Sequence, residues 1–509
     1  MNNLATRAKN SFTLNFIIVI SFVFILRGYP VPFEDELVYL LSPLKQLDSN
    51  FLLNDWTFSR PDKAHLVFNV LMAPFYSLLS LEFIGWSGRI ICWSLIILAL
   101  FRIGRLFQIS LWMITISILL WLAVTSEVAV VGGEWIIGGF GGKSISYFLL
   151  LFSLLGFINN KVVLPSIFLG LCFSFHPAVG LWGGIATISS LIVLKYPIKK
   201  LCQIIFLTAL FSLPGVIPLI PLVFGNNNVS IDEWKFLALM RLPRNLDPFS
   251  WGKVNILALY ILFLFNWLHS LRNKENHAIR FLISFQFFLG LFFLLGIFFR
   301  YNANFDFLKF YPFRLFPVFV QLFFFFHLMN AYLYLNEKKL MRATAVIGLV
   351  ALLSFPNALG EFVDQVKFNY GLWIEKEDDL QMAYKWVSKN TPNGSIIISP
   401  PLRKECSYLS KRAQIVNWRV PTPDRIGEWR ERLECMVGKV ETYNPWDRLK
   451  KMEDHYNHLK EEDIELIIKK YGGDYLVSRG NYNYPLFFSS GTYKVFLLKK
   501  PIVSKLLPK

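Results

Sequence analysis

A chain of 509 residues exceeds what one hydrophobic core organises, and with 54% hydrophobic and 17% charged residues it is too apolar for a soluble protein of that length. Its net charge of +17 would suit nucleic acid in a soluble chain. Here, however, many Lys and Arg sit in short turns between apolar runs, which is a topology signal and leaves membrane lipids as partners, with no nucleic acid. The expected fold is a polytopic α-helical membrane protein of about 11 spans over residues 1–358, followed by a soluble α/β domain over 359–509.

The apolar run 12–26 has no small-residue cleavage site behind it and reads as a retained first span. Further spans are expected at 84–100, 110–124, 144–158, 162–175, 178–194, 201–224, 256–271, 281–299, 315–335 and 343–355, several of them short enough to imply tilt or packing inside a bundle. Charge decides the run 66–81. If it does not cross, then Arg7/Lys9, Arg102/Arg105, Lys161, Lys195/Lys199/Lys200, Arg272/Lys274/Arg280 and Lys338/Lys339/Arg342 all share one side, the cytoplasmic one. The run therefore reads as re-entrant or interfacial, with the N-terminus cytoplasmic and the C-terminal domain extracytoplasmic.

Three loops on the outer face are long, 28–64, 127–143 and 225–253, and a fourth, 300–314, is charged and aromatic. Loops of that length usually carry function. Beyond residue 361 charge appears throughout, and the pattern alternates: helices at 378–389, 425–436 and 461–471, strands at 395–399, 414–418, 475–478 and 493–498. Trp386, Trp418, Trp429 and Tyr475 read as its core. Three of the five cysteines lie in apolar segments, no Cys/His spacing suggests a metal site, and a Cys406–Cys435 disulfide stays open.

The first outer loop opens Pro32-Phe33-Glu34-Asp35-Glu36-Leu37-Val38-Tyr39, three carboxylates directly after a span. Such a carboxylate can act as a general base or as ligand to a divalent cation, or simply be a solvated loop charge; no cofactor is fixed by the sequence. Glu134 lies in Gly132-Gly133-Glu134-Trp135, followed by Gly138-Gly139-Phe140-Gly141-Gly142-Lys143, where missing Cβ atoms let backbone approach a ligand. This is neither a Walker loop nor a dinucleotide fingerprint. His176, in Phe175-His176-Pro177, is either functional or a helix cap.

The Pro-x-x-Asp-Glu-x-x-Tyr pattern, the following Leu53-Asn54-Asp55-Trp56, and then Gly85-Trp86-Ser87-Gly88-Arg89 and Arg102-Ile103-Gly104-Arg105 resemble the opening of the GT-C membrane glycosyltransferases, in particular the protein O-mannosyltransferase and lipid A aminoarabinose transferase branch. The likeness in motif covers about the first hundred residues and continues as architecture alone. It implies an inverting transfer of a sugar from a polyprenyl-phosphate carrier to a glycan, lipid or protein acceptor at the outer face of a bacterial inner membrane, in building the cell envelope. Asp35 would match the family's catalytic base and Glu36 its neighbour. The family's Lys-Pro-Pro-Leu element appears here as Asp62-Lys63-Ala64-His65-Leu66, a departure that bears on donor binding by Lys63 and His65.

A lipid-phosphate donor needs cations at the outer leaflet. Arg60, Lys63, Arg89, Lys143, Arg241, Arg244 and Arg314 are the candidates, with Arg241 and Arg244 bracketing Leu242-Pro243 and Arg314 following Tyr311-Pro312-Phe313. Two rivals from other classes are a transporter or lipid flippase, which would show polar midspan groups and related halves, and a non-catalytic scaffold that keeps the fold.

Overall fold

The computed structural model describes residues 2–128, 131–224, 229–272, 275–333, 358–374 and 376–498. The expected span at 343–355 lies outside them; each of the other expected spans falls on a helix. Five helices are long and apolar enough to cross a membrane: Leu81–Leu106, Ile198–Val223, Lys253–Ser270, His277–Tyr301 and Leu315–Leu333. Ser11–Arg27, Leu111–Val124, Gly142–Ile158, Val163–Phe175 and Pro177–Val193 are apolar but shorter. The ambiguous run forms helix Leu66–Tyr76, whose 11 residues rise about 16 Å, half the hydrocarbon thickness.

The chain divides into two units that are not continuous in sequence. The first holds Met1–Glu36, Lys63–Val223 and Leu242–Ile374. Its centre is Leu315–Leu333, buried almost throughout, whereas Ile198–Phe224, with Pro214, Pro218 and Pro221, is exposed along most of its length. Small residues set the closest approaches: a Cβ on Gly104 would come within 2.8 Å of Ile114, and one on Gly88 within 2.4 Å of the Phe140 ring. A polar seam also runs between these helices. Asn266 Nδ2 donates to Gln286 and to the Val320 carbonyl at 2.9 Å each, and His269 Nδ1 lies 2.9 Å from His327 Nδ1. Buried polar groups find each other because hydrocarbon offers no water.

The second unit holds Leu37–Asp62, Phe224–Arg241 and Glu375–Lys509. It starts later than the expected boundary at 358 and takes in parts of two of the loops expected on the outer face. Its sheet has strands β1 (Ile396–Ile398), β2 (Ala413–Gln414), β3 (Tyr475–Ser478), β4 (Leu486–Ser490) and β5 (Tyr493–Leu497), in the order β2-β1-β3-β5-β4. The β1 pairings are parallel; those of β5 are antiparallel. Helix Asp379–Asn390, started by an Asp378/Gln381 capping box, lays Leu380, Ala383, Tyr384 and Val387 against Ile397, Val477 and Val495. Trp418, Trp429 and Tyr475 are buried as expected, and Trp386 is half-buried, stacked on Phe488. Cys406 and Cys435 are free thiols, so no bridge joins them.

Asp55 explains why the first loop belongs here. Fully buried, it accepts hydrogen bonds from the Thr57 and Phe58 N–H groups at 2.7 and 3.1 Å, and from Ser407 Oγ and the Gln414 N–H at 2.8 Å each. Burial pushes its carboxyl above the usual carboxylate range, against four donors that favour the anion. Trp56 beside it sits under Arg425 at 3.6 Å and Arg432 at 4.9 Å. Asp55→Ala strands those donors and is expected to cost more than about 3 kcal/mol, since each buried unsatisfied group costs about 1–3. Thermal unfolding of the full chain, with proteolysis within 37–62 as a local readout, measures it. An unchanged melting temperature would contradict this anchoring role.

Candidate functional site

The first unit gathers two clusters of sequence-predicted residues. In one, the chain leaves the first helix and makes a turn in which the Glu36 N–H donates to the Phe33 carbonyl at 3.0 Å and the Phe33 N–H to Glu36 Oε2 at 3.1 Å. Glu34 takes the left-handed conformation there, φ 47°, costly for a residue with a Cβ. The Glu36 carboxylate, 2% exposed, receives both Arg89 Nε, at 2.7 Å, and Arg89 Nη2, and the Phe140 N–H at 2.5 Å. Arg89, fully buried, spends its third nitrogen on the Tyr29 carbonyl and lies over the Tyr29 and Trp86 rings.

Glu36 and Arg89, expected in catalysis and in donor binding, are therefore committed to one another. Their desolvated bidentate pair anchors the turn, leaving neither a lone pair for a proton nor a free fork for a phosphate. It also accounts for one of the glycines: a Cβ on Gly139 would meet Glu36 Cγ at 2.8 Å. Asp35, next in the turn, is exposed.

The second cluster lies on the glycine-rich loop. Gly132 and Gly133 take positive φ, 76° and 58°, held by Asn245 Nδ2 donating to both carbonyls at 3.2 Å. Glu134, 3% exposed, pairs through Oε1 with Lys143 Nζ and lies 3.4 Å through Oε2 from Arg314 Nε. Lys143 Nζ also sits 3.8 Å over the Trp135 ring, and the Arg314 guanidinium 4.0 Å over Tyr311, a left-handed residue at φ 53°. Arg314 Nη1 is 3.3 Å from His176 Nε2, whose Nδ1 accepts from the Val179 N–H at 3.4 Å. The helix-cap expectation for His176 holds on one nitrogen, while the other faces the cluster. The His65 ring is 5.7 Å from it.

Asp35 is within electrostatic reach of Lys143, more weakly than Glu134 and Arg314 are. Arg244 is exposed, its Cγ 3.3 Å from where a Gly133 Cβ would stand, and no ion pair or hydrogen bond engages its guanidinium among the described residues. Lys63 is half-buried in the turn Lys63–His65. Arg60 and Arg241 belong to the second unit, Arg60 bound to Asp424 at 2.7 Å and Arg241 Nε donating to the Trp418 carbonyl at 2.6 Å. Among the described residues no three His, Cys, Asp or Glu side chains assemble as a cradle for a divalent cation.

Sequence reasoning missed Trp135, Tyr147 and Tyr311. Tyr311 was signalled only by the proline after it, and Tyr147 had no signal, being one apolar-looking position in a helix.

A domain of unknown function, DUF6798, matches residues 378–436, within the second unit. No curated protein matches the chain. Among solved structures, the archaeal oligosaccharyltransferase AglB from Archaeoglobus fulgidus, in complex with an inhibitory peptide and a dolichol-phosphate, aligns over 92% of this chain and 69% of its own at 11% identity and a TM-score of 0.41, a likeness too loose to establish a common fold.

Proposed function

We propose that this chain is an inverting membrane glycosyltransferase of the GT-C type, moving a sugar from a polyprenyl-phosphate carrier to an acceptor hydroxyl at the outer face of the bacterial inner membrane. The observation that carries the reading is Asp35: exposed, presented by a turn locked through Glu36 and Arg89, and within electrostatic reach of the Lys143 of a cationic cluster. The acceptor hydroxyl gives its proton to Asp35 as its oxygen bonds the anomeric carbon. The bond from that carbon to the phosphate oxygen breaks, and its electron pair leaves on the phosphate, stabilised by Lys143 and Arg314 with Arg244 at the edge. In this reading the N-terminus is cytoplasmic and the second unit extracytoplasmic.

The uncharged polar seam around Asn266 and His269 is the feature a lipid flippase would share. Binding tests the site itself. With the full chain in nanodiscs and polyprenyl phosphate as probe, Lys143→Gln and Arg314→Gln should each weaken binding about tenfold or more, the size of one lost hydrogen bond to a charged group. Unchanged binding in both would remove the phosphate from this cluster.

A further inference from the structure

The glycine-rich loop leaves two polar atoms unaccounted for. Glu134 Oε2 lies at ion-pair distance from Arg314, yet no hydrogen bond reaches it. The Tyr147 hydroxyl, on a fully buried side chain of helix Gly142–Ile158, has no hydrogen-bond partner either. The two groups interact electrostatically and stand at the limit of hydrogen-bond contact, without forming a well-made bond. A buried carboxylate oxygen and a buried phenol side by side, each short of a partner, are an arrangement that native interiors rarely keep without a use.

The exposures give the use a direction. The Lys143 and Arg314 side chains are 10% and 16% exposed and the Glu134 side chain 1%. An anion arriving from outside meets the two cations first, with the carboxylate behind them. While Glu134 holds both, part of their charge is neutralised and a phosphate must compete for them.

We propose, resting on the reading of this cluster as the phosphate site, that Glu134 stands in for the phosphate between Lys143 and Arg314 in the empty protein. On binding it withdraws and accepts a hydrogen bond from the Tyr147 hydroxyl. Tyr147 is then a positioning residue: it touches no substrate but supplies the donor that stabilises the displaced carboxylate. The arrangement keeps the cations ordered and desolvated before the phosphate arrives, and hands them over without leaving a buried charge unpartnered.

The test is a double-mutant cycle on the full chain in nanodiscs, with polyprenyl phosphate and, in parallel, inorganic phosphate as probes. Glu134→Gln removes the competitor and is expected to tighten both probes about tenfold. Tyr147→Phe removes only the donor and is expected to weaken both severalfold. In the Glu134→Gln background Tyr147→Phe should have no further effect, because an amide needs no such compensation. Glu134→Asp, which keeps the charge, should bind near the wild-type level and, with thermal unfolding, controls for damage to the fold.

A wild-type protein that binds neither probe ends the phosphate reading and this inference with it. Wild-type binding with Glu134→Gln unchanged or weaker overturns the inference alone. So does a Tyr147→Phe effect of equal size in both backgrounds, which marks a structural role, or no Tyr147→Phe effect at all, which marks a water bridging the two groups. A gain for polyprenyl phosphate without one for inorganic phosphate would place the effect on the lipid chain and overturn it too.

Discussion

Asp35→Asn is expected to abolish the proposed sugar transfer while the protein stays folded and still binds polyprenyl phosphate. Asparagine keeps the shape and reach of the side chain but cannot accept a proton at neutral pH, so it removes the base and leaves the turn. General-base contributions run to about 10²–10⁴-fold in rate, well beyond what modest misfolding produces. Asp48→Asn is the matched control: Asp48 is exposed and its Oδ1 only accepts the Asn50 N–H at 2.8 Å. A membrane assay with the natural donor reads both. Full activity in Asp35→Asn makes it an ordinary loop carboxylate; no transfer by the wild type leaves the flippase or scaffold reading standing; loss in Asp48→Asn alone assigns the chemistry to the wrong acid.

The second large effect is on stability. Glu36→Gln strips a buried guanidinium of its counter-charge, and Arg89→Gln does the converse, each expected to cost about 3–5 kcal/mol. The double variant Glu36→Gln/Arg89→Gln, with no net buried charge and amides still able to serve the Phe140 N–H and the Tyr29 carbonyl, should lose less than the sum of the singles. Thermal unfolding in one detergent or lipid composition makes the comparison. Additive losses would mean that the two side chains act independently and that the bidentate pair is not what holds the turn.

The apolar helices among the described residues were legible because each needs only a run of one residue class, and local signals also sufficed for helix 461–471 and strand 475–478, whose bounds the structure reproduces. Strand β4 was not legible: it lies at the sheet edge, with Leu486 and Phe487 exposed, so it lacks alternation between buried and exposed positions. The expected strand at 414–418 shrinks to Ala413–Gln414, since beyond it the Asn417 carbonyl is taken by the Trp429 indole at 2.9 Å. Within the site, sequence gave Asp35 and Glu36 as neighbours with one chemistry. What separates them is Arg89, 53 positions downstream, and nothing local announces that pairing. The division of the chain was hidden for the same reason, since Asp55 finds Ser407 at a separation of 352 residues.

That separation bears on how the protein is made. Chain growth at about 5–20 residues per second puts roughly 20–70 s between the emergence of Asp55 and that of Ser407. Throughout that interval Trp56 and its neighbours wait without the surface that will cover them, while the apolar helices between are still being inserted. A ribosome stalled anywhere in the stretch, or a stop codon before Ser407, would release a chain with its helices in place and residues 37–62 exposed to proteases, so the cell's quality control has a ready mark of an unfinished copy.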